Sequence, residues 1–116
     1  MLKKLRHRLS QTVEELHEER LQQRYRSLDL LPIGEAPLRV PIRVGGEVQE
    51  LQVVPRAGSP SLEVTIGDGS GRAVAVFTGR RRISGLDPGR SLVVEGVGRH
   101  ERGRLLLLNP SYTLVG

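Results

Sequence analysis

A chain of 116 residues, 37% apolar and 27% charged, has room for a single domain and is too rich in apolar residues for wholesale disorder. No apolar run approaches the roughly 20 residues of a membrane-spanning helix, and the lack of cysteine excludes disulfides, thiolate nucleophiles and thiolate metal sites. Eighteen basic residues against thirteen acidic ones leave a net charge of +5, which favours an anionic partner through long-range attraction.

The chain divides near residue 30. Before it there is no glycine, and charges are dense; after it come all fourteen glycines, all seven prolines and period-2 alternation. This pattern predicts an N-terminal helical extension over residues 1–30 and an all-β body over 31–116. In the extension, Leu2, Leu5, Leu9, Val13 and Leu16 form one apolar stripe at helical spacing. Thr12 with Glu15 fits a capping box, so a helix is expected to start there. Apolar residues resume at Leu21, Tyr25 and Leu28 on a rotated face, which suggests two contacts for the extension. The first stretch alternates Leu with Lys and Arg and lacks the apolar segment of a secretory leader, so a cytoplasmic chain is expected. It also lacks a bulky aromatic anchor, which argues against a membrane surface as partner.

Leu38, Val40, Ile42 and Val44 alternate strictly, with Arg39 and Arg43 on the opposite face. Val48 keeps that phase, whereas Leu51 and Val53 break it. One regular strand cannot change parity without a bulge, so a single long strand bent between Gly45 and Glu50 is predicted. Pro55 to Pro60 reads as a loop, and Leu62, Val64 and Ile66 as the second strand. Gly67-Asp68-Gly69-Ser70-Gly71 reads as a turn. Val74 and Val76 mark a third strand, with Ala75 and Phe77 on its other face. Gly79 to Arg90 is a polar connection long enough for one helical turn, and Leu92 to Val97 is the fourth strand. A hairpin turn at His100-Glu101-Arg102-Gly103 leads to the fifth strand, Arg104 to Leu108, and Tyr112 to Val115 offers a short closing strand. A bent first strand, five strands in all and a long connection after the third describe a Greek-key barrel of the OB type.

The segments Leu51-Gln52-Val53-Val54-Pro55-Arg56, Leu62 to Gly71 and Val74-Ala75-Val76-Phe77 resemble OB-fold nucleic-acid-binding domains. Similar units occur in the anticodon-binding domains of tRNA synthetases and the wedge domains of branch-migrating helicases. With Gly79 to Arg90, Asn109-Pro110-Ser111-Tyr112 and the charged N-terminal helix, the chain looks like small stand-alone OB-fold proteins of actinobacteria. The resemblance implies a non-enzymatic, basic protein that binds single-stranded or structured DNA or RNA.

Oligonucleotides usually cross the outer face of strands two and three of such a barrel. Mapped onto this chain, that face would hold Glu63, Thr65, Arg72, Ala75 and Phe77. The candidate phosphate contacts are Arg39, Arg43, Arg56, Arg80, Arg81, Arg82, Arg99, Arg102 and Arg104, with Phe77 as a stacking surface. Arginines on turns are ordinarily plain solvated surface. The Arg80-Arg81-Arg82 run stands out because three adjacent like charges repel, and an anionic partner relieves that repulsion. Tyr25, Phe77 and Tyr112 are the only aromatic residues, so binding should be weak, electrostatic and poorly sequence-selective. With around four phosphates neutralised, log K should fall with log salt at a slope of roughly −3. His7, His17 and His100 lack metal-ligand spacing, no Ser, His and acid are placed together by local pattern, and no cofactor motif is present. The alternative is a protein-interaction module in which the Leu2 to Leu16 stripe docks on a partner or a second copy.

Overall fold

The structure, a computed structural model, describes residues 12–27 and 29–115. Helix α1 (Val13–Ser27) starts where the pattern placed it. The Glu15 amide donates to Thr12 Oγ1 at 3.1 Å, and Glu14 and Glu15 complement the helix dipole in the first turn. Leu2, Leu5, Leu9 and Leu28 lie outside the described residues, as do the side chains of Leu21 and Tyr25. Of the stripe that remains, Val13 is 84% exposed and Leu16 is also exposed, so neither belongs to the barrel core. The helix meets that body where His17 Nε2 lies 3.2 Å from Glu47 Oε2.

Beyond α1 the chain joins the body through Leu30, buried with Val93, and through a 3-10 turn at Ile33–Glu35. Six strands follow: β1 (Pro41–Arg56), β2 (Ser59–Gly67), β3 (Arg72–Thr78), β4 (Ser91–Glu101), β5 (Arg104–Leu108) and β6 (Ser111–Val115). The first half of β1 pairs antiparallel with β4 and its second half with β2. The register slips between Val48 and Glu50, which is the bulge the parity change required. One strand thereby serves both halves of the sheet. With β2–β3 antiparallel, β3–β5 parallel and β5–β4 antiparallel, five strands close on themselves, and β6 adds to β4.

Strand β1 starts at Pro41 rather than Leu38; Leu38 and Val40 are exposed, and Arg39 turns the chain with φ 65°. The expected loop from Pro55 to Pro60 is instead a tight hairpin. Pro55 pairs with Pro60 and Arg56 with Ser59, leaving Ala57 (φ 48°) and Gly58 (φ 81°) as a two-residue turn. Two positive φ values match the twist of the flanking strands. The 79–90 connection forms no helix, but it buries Ile83 and Leu86 in the core.

Strand β3 corrects the sequence reading most. Ala73, Ala75 and Phe77 face inward, with Phe77 only 6% exposed, while Val74 and Val76 join Leu106 in a separate outward cluster. Five closed strands leave little interior space, and two alanines with one large ring at the end suit it better than a row of valines. The barrel is equally tight at Gly46. A Cβ there would come within 2.8–3.0 Å of Gly67 backbone atoms, which cannot retreat without opening the sheet. Gly46→Ala should therefore cost about 1–2 kcal/mol, measured as a lower thermal midpoint, with the β-sheet signal retained below it.

Candidate functional site

The outer face of β2, β3 and β5 is crossed by a charge cluster built from the tips of two hairpins. Arg56, the last residue of β1, reaches Glu101, the last residue of β4, with guanidinium nitrogens 2.8 and 3.4 Å from its two oxygens. Arg56 also lies 3.6 Å from Glu63, which faces Val76 across the β2–β3 ladder. Arg104 binds Glu63 at 3.2 Å, and Arg99 binds Glu101 at 3.1 Å. Three guanidinia and two carboxylates thus join into one network. Beneath it Val74, Val76 and Leu106 point outward yet are buried. The cluster holds Glu101 below the usual glutamate range, chiefly through the Arg56 hydrogen bond, with the charges of Arg56, Arg99 and Arg102 assisting against desolvation.

The remaining arginines named from sequence stand elsewhere. Arg43 pairs with Glu95 at 3.0 Å on an exposed stretch of β1 and β4. Arg39 is exposed at the entry to β1, and Arg102 at the β4–β5 turn. Arg80, Arg81 and Arg82 follow β3 and are exposed; among the described residues none of them makes an ion pair. Phe77 is not on the outer face. It lies in the core edge-on to Tyr112, with ring centroids 5.5 Å apart and planes at 79°. The structure therefore brings Arg56, Arg99 and Arg104 together but ties each to a carboxylate, and it leaves the arginine run apart from them.

Among the described residues, two of the barrel's concavities bear on ligand binding. One of about 300 Å³ lies between α1 and the β body, lined by Glu14, His17, Glu18 and Glu47 with Arg72. The other, about 290 Å³, lies between the β1–β2 ribbon and the 79–90 connection. Its apolar lining is Leu51, Val53, Leu62, Ile83 and Leu86, and Arg81, Arg82 and Asp87 stand around it. Sequence reading took Leu51 and Val53 only as strand residues. The sequence carries no sign of the groove, because the hairpin near whose end Val53 stands is obscured by Pro55 and Pro60. No group of acidic or histidine side chains fit to hold a metal occurs among the described residues. Nor is any helix there long and apolar enough to cross a membrane.

The sequence matches no protein-family model and no curated protein. Its architecture does have counterparts among solved structures. The replication factor A related protein of Methanobacterium thermoautotrophicum is similar over 74% of this chain and 90% of that one, with a TM-score of 0.58 and 15% identity. A chain of a replication protein A heterotrimer bound to single-stranded DNA is similar over 74% of this chain and 65% of its own length, with a TM-score of 0.52 and 14% identity. The domain is an OB fold.

In an OB fold the outer face of strands 2 and 3, between the β1–β2 and β4–β5 loops, is where oligonucleotides are taken up. Here that surface carries the Arg56–Glu101 clasp over Val74, Val76 and Leu106. Among the described residues it presents no aromatic platform; both terminal nitrogens of Arg56 are held by Glu101, while Arg99 and Arg104 each give one nitrogen to a carboxylate and stay partly exposed.

Proposed function

We propose that this OB domain binds single-stranded nucleic acid, DNA or RNA, without enzymatic activity, holding it by arginine–phosphate contacts rather than by stacking. The observation that carries this reading is the exposed, unpaired run Arg80-Arg81-Arg82 at the end of β3 in a chain of net charge +5. Exposed guanidinia without an ion pair among the described residues keep their capacity for bidentate phosphate contacts, whereas those of the hairpin clasp already share theirs with carboxylates. The likeness to a replication protein seen with single-stranded DNA agrees with this activity. So does the sequence resemblance to anticodon-binding and helicase wedge domains and to stand-alone actinobacterial OB proteins. On this reading residues 31–116 are the binding domain, residues 1–30 an extension, and the protein works in the cytoplasm. Arg39, Arg43 and Arg102 add exposed positive charge around the barrel, Arg99 and Arg104 add partly exposed charge with one nitrogen on a carboxylate, and Arg56 is a reserve that a ligand reaches by displacing Glu101.

Fluorescence anisotropy of a labelled 20-nucleotide single strand tests the reading. Saturable binding at low salt that weakens steeply with added salt is expected. Replacing Arg80, Arg81 and Arg82 together by alanine should make the slope of log K against log salt shallower by about 2, for three contacts at about 0.7 each. An unchanged slope removes the run from the site. No binding even at low salt removes the activity.

A second reading draws on Val13, 84% exposed, and on Leu16: an apolar edge of α1 open to solvent suits a protein partner or a second copy. Light scattering on the whole chain and on one starting at residue 29 distinguishes self-association through the helix from its absence.

A further inference from the structure

We infer that the groove between the β1–β2 ribbon and the 79–90 connection seats one base of the bound strand, and that the clasped OB face does not. The inference rests on the nucleic-acid reading above and changes where the strand is held.

The two faces of the β1–β2 ribbon differ in what they leave available. On its outer face Glu63 joins the charge network, and the outward residues of the neighbouring strands β3 and β5, Val74, Val76 and Leu106, are buried, with each arginine of the network bonded to a carboxylate. The opposite face continues the barrel interior past the point of closure, so core-type side chains become accessible there. Val53, in register with core Leu62, is 49% exposed. The exposed apolar surface of the groove and the unpaired cations of Arg81 and Arg82 thus occur together.

A ligand suited to this combination has a flat apolar body and an adjacent anionic group. A nucleotide has both. Its base can lie on Leu51 and Val53, with a guanidinium plane against its other side, while its phosphate meets Arg81 or Arg82. Asp87 gives the same groove an acceptor for an exocyclic amino group. An acidic peptide with one apolar anchor would satisfy the arginines, but its carboxylates would meet Asp87, and it brings no matching donor edge. Size points the same way. About 290 Å³ is at the lower end of small-molecule sites, enough for one planar ring system and too little for a helix about 10 Å across. Phe77, the cross-strand partner of Leu62, supports the floor from within the core.

Methyl groups report on both surfaces in one experiment. The whole chain, labelled at Leu and Val methyls, is titrated with a 20-nucleotide single-stranded DNA at low salt and followed by NMR. Shifts at Leu51 and Val53 with Val74, Val76 and Leu106 unmoved are expected. Val53→Glu, at a half-exposed position, should retain the fold by circular dichroism and weaken the anisotropy-measured affinity roughly ten-fold, whereas Val53→Thr should stay within about two-fold. Shifts confined to Val74, Val76 and Leu106, with Val53→Glu silent, would overturn the groove assignment and leave the nucleic-acid reading standing. Absence of both methyl shifts and anisotropy change would remove that reading as well. Groove shifts produced by an acidic leucine-containing peptide, and not by the oligonucleotide, would assign the groove to a protein partner and sink the inference.

Discussion

Asp68→Ala is expected to destabilise the domain by about 2–4 kcal/mol, roughly 10–20 °C in the thermal midpoint. The residue sits in the turn between β2 and β3 and is almost completely buried, yet both of its oxygens are used. Oδ2 accepts the Ile33 amide at 2.9 Å; Oδ1 accepts the Ser70 amide at 2.9 Å, the Ser70 hydroxyl at 2.6 Å and the Gly71 amide at 3.2 Å. One carboxylate therefore shapes the β2–β3 turn and pins the 3-10 turn, whose Ile33 enters the core. Alanine leaves these donors without their partner, and water can reach only some of them. Asp68→Asn keeps the shape but supplies an amide where acceptors are needed, so an intermediate loss is expected. Urea denaturation gives the magnitude, and hydrogen exchange of the Ile33 amide checks the mechanism. A loss under about 0.5 kcal/mol, or unchanged protection at Ile33, would refute this account.

What could be read from sequence depended on whether a strand has one buried face or two. Leu62, Val64 and Ile66 alternate with polar residues, so β2 was legible, and the parity change between Val48 and Leu51 located the bulge in β1. Strand β3 was legible as a strand but not in its orientation. All five residues from Ala73 to Phe77 are buried, and a sequence of alanines and valines offers no polar side to define the outside. The β1–β2 hairpin was obscured by Pro55 and Pro60, which face each other in the ladder and there read as loop residues. The candidate site was legible as charge but not as pairing. Arg56 and Glu101 are 45 residues apart, and Arg104 and Glu63 are 41 apart, so no local pattern reveals their contact. The arginine run was legible as a cluster of like charge, but that it makes no ion pair among the described residues, although Asp87 lines the same groove, is seen only in the structure.

Neutralising the clasp should lower stability and raise affinity for a single strand at the same time. Glu63 is only 6% exposed and serves two guanidinia. Glu63→Gln is therefore expected to cost about 2–3 kcal/mol, below the 3–5 kcal/mol of a fully buried pair because Arg104 keeps part of its hydration. Glu101→Gln should cost less, because Glu101 lies nearer solvent, but it removes the ion pair of Arg99 and the shorter of the two made by Arg56, leaving both more open to an anion. At low salt its affinity for the 20-nucleotide strand should rise and the salt slope should steepen, as added phosphate contacts require. If Glu101→Gln changes neither, the guanidinia of the clasp are not accessible to nucleic acid in either state. Acid should act like the substitution. Because the folded protein holds Glu101 below its ordinary value, the clasp contributes fully at neutral pH and above the usual glutamate range, and is lost as pH falls through the lowered value. Carboxyl NMR titration measures this directly. Arg56→Ala should return Glu101 toward the usual range, and a titration curve unmoved by that substitution would mean that the two hairpin tips are not joined in solution.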